Sequence, residues 1–358
     1  MRTLKFILLT LFCCAIYADD PENQENVAEI TRKTTHIKAL HTEVPKYPRR
    51  ALQRGIEGWV IVGFSVEADG TTSNIEVLGS SIDDYFDDAA LEAARLRTYE
   101  PATASGKPVL QGNVTAQYTF QITDSDGGVS KSFLWVYKKA AKAIKEEDLE
   151  LAKSLIDQLD AEEKRVLAEV CYLDMLKASY FDKKGNDEET LRYVERALKI
   201  ADTTASKAIY INLLRQGIVD NAKVNNFYIS LEHYDTLVKV DKDLAPNDPV
   251  HEYVKRVRVI LDGDAAIQTT GKTSRSCKTC TNPGETYWRH VLNRKRFSID
   301  QLTGQLNEVD ILCENSTVSV AYQPDTAWTV NRDGGDCSIR VIGEKGTSFR
   351  LIELPNKG

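Results

Sequence analysis

Several things are scarce in this chain of 358 residues, and each scarcity excludes something. Basic residues are not in excess: 46 Lys and Arg face 53 Asp and Glu, a formal net charge of -7. That balance argues against a nucleic-acid surface, which needs a basic patch to neutralise phosphates. Histidine is rare, and His36, His41, His233, His251 and His290 show no metal-ligand spacing such as H-E-x-x-H. No metal, cofactor or catalytic residue is therefore expected. Asp83-Asp84 and Asp87-Asp88 read as a helix start and not as a catalytic dyad, and Gly127-Gly128 belongs to a linker and not to a phosphate loop. Long apolar runs are missing too. The run Phe6 to Ile16 is about half of the ~20 residues that span a bilayer. With 10 prolines in all, no long proline-rich spacer is present. Trp59, Trp135, Trp288 and Trp328 are scattered, and core positions are expected for most of them rather than a carbohydrate platform.

What is present begins with a targeting segment. Arg2 and Lys5 precede the apolar run, and Ala15-Ile-Tyr-Ala18 precedes Asp19-Asp20. Residues 1–18 read as a secretory signal cleaved near Ala18, which places the protein in the periplasm. Membrane contact is then expected only if the apolar segment is retained. Cys13 and Cys14 leave with the signal, and Cys171, Cys277, Cys280, Cys313 and Cys337 remain in an oxidising compartment. An odd number leaves at least one thiol unpaired.

The rest divides by composition. Residues 19–42 are polar and without period, a disordered lead-in. Within residues 43–123, Tyr47-Pro48 opens a short helix, Arg49 to Arg54, that Gly55 ends. In Gly58 to Glu67, Val60, Val62, Phe64 and Val66 alternate as a strand. Ala68-Asp-Gly70 is a hairpin turn, and Ile75 and Val77 mark the next strand. Asp84 to Arg97 is amphipathic, with Asp83 or Asp84 as cap and Asp87-Asp88 at its positive end. In Gln111 to Ile122, Val114, Ala116, Tyr118 and Phe120 share one face and Thr115, Gln117, Thr119 and Gln121 the other. The order is αββαβ. Residues 124–130 form a flexible linker.

Residues 131–264 carry apolar residues at helical spacing over Lys131–Lys145, Glu147–Leu159, Ala161–Phe181, Glu188–Ala201, Ser206–Ala222, Asn225–Val240 and Val250–Leu261. Short turns between them imply antiparallel hairpins, an α-solenoid-like domain or an irregular bundle. Residues 265–358 open with the polar link Thr269–Ser276. Phe297–Ile299, Gln305–Cys313, Thr317–Tyr322, Ala327–Asn331, Cys337–Gly343 and Ser348–Glu353 then read as the strands of a small β-sandwich. Cys313 and Cys337, on or beside strands, are expected to pair. Cys277 and Cys280 have C-x-x-C spacing in a polar stretch, so a bond within the motif is the first reading. A four-thiolate zinc site from Cys277, Cys280, Cys313 and Cys337 and a redox pair are the alternatives. Cys171 reads as a buried helix thiol. Asn315-Ser-Thr317 fits a glycosylation pattern by chance.

The succession Val44-Pro-Lys-Tyr-Pro-Arg-Arg-Ala51, Gly58-Trp-Val-Ile-Val-Gly-Phe-Ser-Val66, Ala68-Asp-Gly70, Asp87–Ala94, Tyr99-Glu-Pro101 and Val114–Phe120 resembles the C-terminal domain of the TonB family. The resemblance implies that the final strand, Gln111 to Ile122, grips an extended peptide by strand addition. Asn113, Thr115, Gln117, Thr119 and Gln121 would flank that peptide, with Arg49 and Arg50 adding charge. Tyr47, Pro48, Gly58 and Gly70 are expected to be structural. Glu195–Ile200 more weakly resembles the second helix of a tetratricopeptide-type repeat, without a sustained period of roughly 34 residues. The expected protein is a multidomain α+β, exported, non-enzymatic binding or scaffold protein. Its partner would be a protein or extended peptide, for example a segment of an outer-membrane transporter. One alternative is a membrane-anchored TonB-type energy transducer that keeps Phe6–Ile16. Another is an exported redox protein using Cys277 and Cys280.

Overall fold

The computed structural model describes residues 27–30, 35–82, 85–122, 128–162, 164–276, 286–313, 316–330 and 337–355. The signal segment, Asp83, Asp84 and the Cys277–Cys280 motif lie outside the described residues.

The polar lead-in contains two strands, β1 (Val27–Ile30) and β2 (Lys38–His41), where a disordered segment was expected. Pairing at a sheet edge rests on main-chain bonds, so it needs little apolar periodicity. The first region continues with α1 (Arg49–Arg54), β3 (Gly58–Val66), β4 (Thr72–Ser80) and α2 (Asp87–Arg95). Then come β5 (Thr98–Glu100), which pairs with β2, the short hairpin β6 (Thr103–Ala104) and β7 (Lys107–Pro108), and β8 (Gln111–Phe120). A three-stranded antiparallel sheet runs in the order β4, β3, β8.

On one sheet face, Val60, Val62, Phe64, Val66, Tyr118 and Phe120 pack with Ala51 of α1 and Ala90, Ala93 and Ala94 of α2. Tyr47 braces this core. Its hydroxyl donates to the Ile56 carbonyl at 2.6 Å, and its ring meets Phe86 and Phe120 edge-on. Burial, with Glu57 nearby, pushes the Tyr47 phenol up to about 12. Two glycines are dictated by space. A Cβ on Gly58 would come within 2.5 Å of Ser81 Oγ, and one on Gly70, at φ +84, within 2.1 Å of the Tyr99 carbonyl oxygen.

The middle region is helical: α3 (Lys131–Lys145), α4 (Leu149–Asp160), α5 (Leu167–Lys183), α6 (Asp187–Leu198), α7 (Ala201–Thr204), α8 (Lys207–Lys223), α9 (Phe227–Val240) and α10 (Pro249–Asp262). The starts are chemically marked. Ser130, Asp148, Asn186, Ser206 and Asp248 each accept a hydrogen bond from a backbone N–H of the first turn, and Pro249 stands at the first position of α10. The pattern over Ala161–Phe181 starts too early. Residues ahead of Leu167 stay in a loop because the Arg165 guanidinium turns back to the carbonyls of Leu159, Asp160 and Glu162 at the end of α4.

The last region holds β9 (Ile267–Lys272), β10 (Arg275–Ser276), β11 (Thr286–Val291), β12 (Arg296–Thr303), β13 (Leu306–Cys313), β14 (Ser316–Ala321), β15 (Ala327–Val330), β16 (Cys337–Gly343) and β17 (Ser348–Leu354). Two five-stranded sheets run β1, β15, β12, β17, β9 and β10, β11, β16, β13, β14. Phe297, Trp328, Phe349 and Leu351 of the first interleave with Val309, Ile311, Ile339 and Val341 of the second in one core. Strands β9, β10 and β11 fall outside the segments expected from the sequence. Ile267–Lys272 reads IQTTGK and borders its sheet, where a polar outer face is tolerated.

Cys313 and Cys337 face each other in register and are joined by a disulfide, with a Cα–Cα distance of 4.0 Å. That bond takes two of the four thiols a zinc site would need. Closing a loop of 24 residues restricts the unfolded chain, so reduction is expected to lower stability by about 3 kcal/mol. Denaturation curves with and without reductant measure the loss. Peptide mapping under non-reducing conditions should recover the Cys313–Cys337 pair, and two free thiols there would refute it. Cys171 is fully buried against the Ala197 carbonyl, and burial pushes its thiol up to about 11.

Candidate functional site

Strand β8 is the edge of the first sheet, and the pairing of β3 fixes which of its groups are open. Trp59 directs both main-chain groups toward Ser81: its N–H donates to Ser81 Oγ, and its carbonyl accepts from the Ser81 N–H. Antiparallel strands alternate direction residue by residue. Thr119, opposite Trp59, therefore turns its N–H and C=O away from β3. The register runs unbroken from Gly58–Phe120 to Phe64–Val114, so Gln117 and Thr115 do the same. Among the described residues, no main-chain partner meets these three on the outer side. The side chains of Thr115, Gln117 and Thr119 are exposed, while Tyr118 and Phe120 are buried.

The start of this edge is closed by the last region. At the start, the register shifts and Asn113 sits in the left-handed region at φ 60. The Gly112 N–H donates to Thr317 Oγ1 of β14 at 2.5 Å, and Asn113 Oδ1 accepts from Arg289 Nη2 of β11 and from Ser338 Oγ of β16. Farther along, the Gln117 amide donates to the Lys199 carbonyl at 3.0 Å. Asn113 and Gln117, expected to flank a peptide, are tied by these bonds to the rest of the chain. Thr115, Thr119 and Gln121 remain exposed. Arg49 and Arg50 are exposed on α1. Arg50 lies over the Tyr85 ring, 5.6 Å from its centroid, and is not drawn to the edge group.

The second face of the sheet is covered as well. Trp59 and Ile61 pack against Leu167, Val170, Cys171, Ala197 and Leu213 of the helical region. Arg196 of α6 donates to the carbonyls of Ser80 and Ser81 and to the buried Asp174 carboxylate, with its guanidinium 5.6 Å from the Trp59 ring centroid. Glu57, 1% exposed, accepts from the N–H groups of Ile122 and of Leu167 at the start of α5, both at 2.9 Å. Next along the face, the Glu76 carboxylate accepts from the Tyr287 hydroxyl at 2.9 Å and lies 3.7 Å from Arg340. Burial and Glu76 push the Tyr287 phenol up to about 12. Arg289, Thr317, Ser338 and Lys199 have no local sequence signature. They reach β8 across 82 to 225 residues of chain.

Residues 43–122 match the family model of the Gram-negative bacterial TonB protein C-terminal. This segment is a TonB C-terminal domain. Protein TonB of Pseudomonas aeruginosa is 38% identical over 86 residues, which are 24% of this chain and 25% of that protein. Protein TonB of Escherichia coli K12 is 35% identical over 79 residues, 22% of this chain and 31% of that protein. The solution NMR structure of the Pseudomonas aeruginosa TonB CTD is 34% identical and covers 27% of this chain and 96% of its own, with a TM-score of 0.23. The chain spans between 18% and 32% of the length of the curated relatives it matches. The TonB domain comes before the helical and all-β regions here. No helix among the described residues is long and apolar enough to cross a membrane.

Proposed function

We propose that this chain is a TonB-type coupling protein for outer-membrane transport, whose TonB domain grips an extended segment of a transporter at the open edge of β8. The observation that carries the reading is the outward main chain of Thr115, Gln117 and Thr119, three residues with exposed side chains on an edge strand of the matched domain. Main-chain pairing gives grip with little demand on partner sequence. The TonB relatives favour coupling over a free periplasmic scaffold. In this reading the protein works at the cell envelope without catalysis, and the helical and all-β regions hold the domain and frame its edge.

Proline at position 117 tests this cleanly. The Gln117 N–H points away from β3, so proline removes an outward donor without breaking the β3–β8 ladder. Gln117→Pro is expected to keep its fold by circular dichroism and to lose at least about tenfold in affinity for peptides from transporter N-terminal segments. Gln117→Ala, which loses only the side-chain bond to Lys199, should bind normally. Equal binding by the proline variant would refute the edge as the grip.

A further inference from the structure

Where the three regions meet, a cavity of about 280 Å³ opens beside the start of the β8 edge. It is lined by Asn113 and Thr115 of β8, Ile229 of α9, Arg289 and Val291 of β11, and Ser338 of β16. Its walls come from three parts of the chain, so it exists only because the later regions cover the TonB sheet. We infer that this cavity is a carboxylate site: it receives an acidic side chain, or the free C-terminal carboxylate, of the segment that pairs with Thr115–Thr119. The inference rests on the strand-addition reading and adds to it a chemical requirement on the partner.

Charge is the first support. Arg340 is matched by Asp310, at 2.6 Å, and by Glu76. Arg289 stands directly opposite Arg340 in the β11–β16 ladder, a like-charge cross-strand pair that is unfavourable by itself. The hydrogen-bond partner of Arg289 is neutral, since its Nη2 donates to the Asn113 amide oxygen, and the Glu76 carboxylate acts on it only from beyond ion-pair distance. Among the described residues, no carboxylate lies within ion-pair distance of it. A guanidinium carries five N–H donors in a planar fork suited to two carboxylate oxygens. Burial, with Arg340 and Arg275 nearby, holds the Arg289 guanidinium below its ordinary value against the opposing pull of Glu76.

Position is the second support. Thr115 contributes both to the cavity wall and to the open edge. A strand laid along Thr119, Gln117 and Thr115 therefore runs its end onto the cavity mouth. The Ser338 hydroxyl now gives its one O–H to Asn113 Oδ1 at 3.4 Å and would turn it to the carboxylate when the cavity is filled. Ile229 and Val291 supply an apolar wall that raises the value of any charge pairing inside.

The test uses the whole protein and one alternating threonine–valine peptide, fluorescein-labelled, in a neutral C-terminally amidated form and in acidic forms. The acidic forms carry a glutamate at the first or at the last position with the amide kept, or a free C-terminal carboxylate with no glutamate. One acidic form is expected to bind about tenfold tighter than the neutral peptide, and which one it is tells side chain from terminus. Arg289→Gln should bring the ratio of acidic-peptide to neutral-peptide affinity to about one, while Arg289→Lys should keep part of the advantage. A readout on the unmutated protein covers the case of a poorly folded variant: the Arg289 Nε resonance should shift with the acidic peptide and not with the neutral one. If neutral and acidic peptides bind equally and perturb Thr115 and Thr119 alike, the carboxylate site is wrong and the edge reading stands. If no form binds, both are wrong.

Discussion

Replacing Glu353 by alanine is expected to destabilise the protein by about 3–5 kcal/mol, the range for breaking a buried charged network from one side. The carboxylate is fully buried and accepts from the backbone N–H groups of Asn293 and Arg294, from the Asn293 amide and from His290 Nε2. Alanine would leave those donors without an acceptor in a dry site. The damage would spread, because the same turn holds the all-β region to the helices. Arg294, 1% exposed, donates to the carbonyls of Ile260, Leu261, Gly263 and Ala265 at the end of α10, and Asn293 bridges the Asn225 carbonyl and the Tyr228 N–H at the start of α9. Urea denaturation followed by tryptophan fluorescence should show the last region melting ahead of the helices. Glu353→Gln, which keeps one acceptor oxygen, should lose roughly half as much. A loss under about 1 kcal/mol would mean that this turn is not the joint it looks like.

Trp59→Ala should cost a similar amount, about 3–5 kcal/mol, for a different reason. Trp59 is 2% exposed, and its ring fills the space between the TonB sheet and the helices around Leu167, Val170, Ala197 and Leu213. Truncation would open a cavity at that seam and remove the ring beneath Arg196. The TonB domain should then melt separately from the helical region in calorimetry, where the unmutated pair should melt together. Arg196→Ala is expected to add little on top of Trp59→Ala, because both act on one contact. Additive losses and an unchanged melting profile would show the two regions to be independent.

How much of this was legible follows from distance along the chain. The alternation of Val60, Val62, Phe64 and Val66 is local, and it marks the face covered by α1 and α2. The same alternation puts Trp59 and Ile61 on the opposite face without showing what covers it, and helices more than 100 residues away do so. Apolar spacing placed the helices, and the caps that set their starts, Ser130, Asp148, Ser206 and Asp248, act only on the next turn. Thr115 and Thr119 could be placed on the outer side by parity. The capture of Asn113 by Arg289 and of Gln117 by Lys199 could not, since each partner belongs to a region with no local link to β8. The lead-in strands β1 and β2 were missed for a related reason: their pairing is made by backbone, and side-chain pattern carries no trace of it.

The central claim is that β8 offers its outer main chain to an extended partner. With ¹⁵N-threonine labelling, peptides from outer-membrane transporter N-terminal segments should shift the amide signals of Thr115 and Thr119, and Gln117→Pro should abolish those shifts. Binding that leaves both threonines unmoved, or that survives the proline, would contradict it.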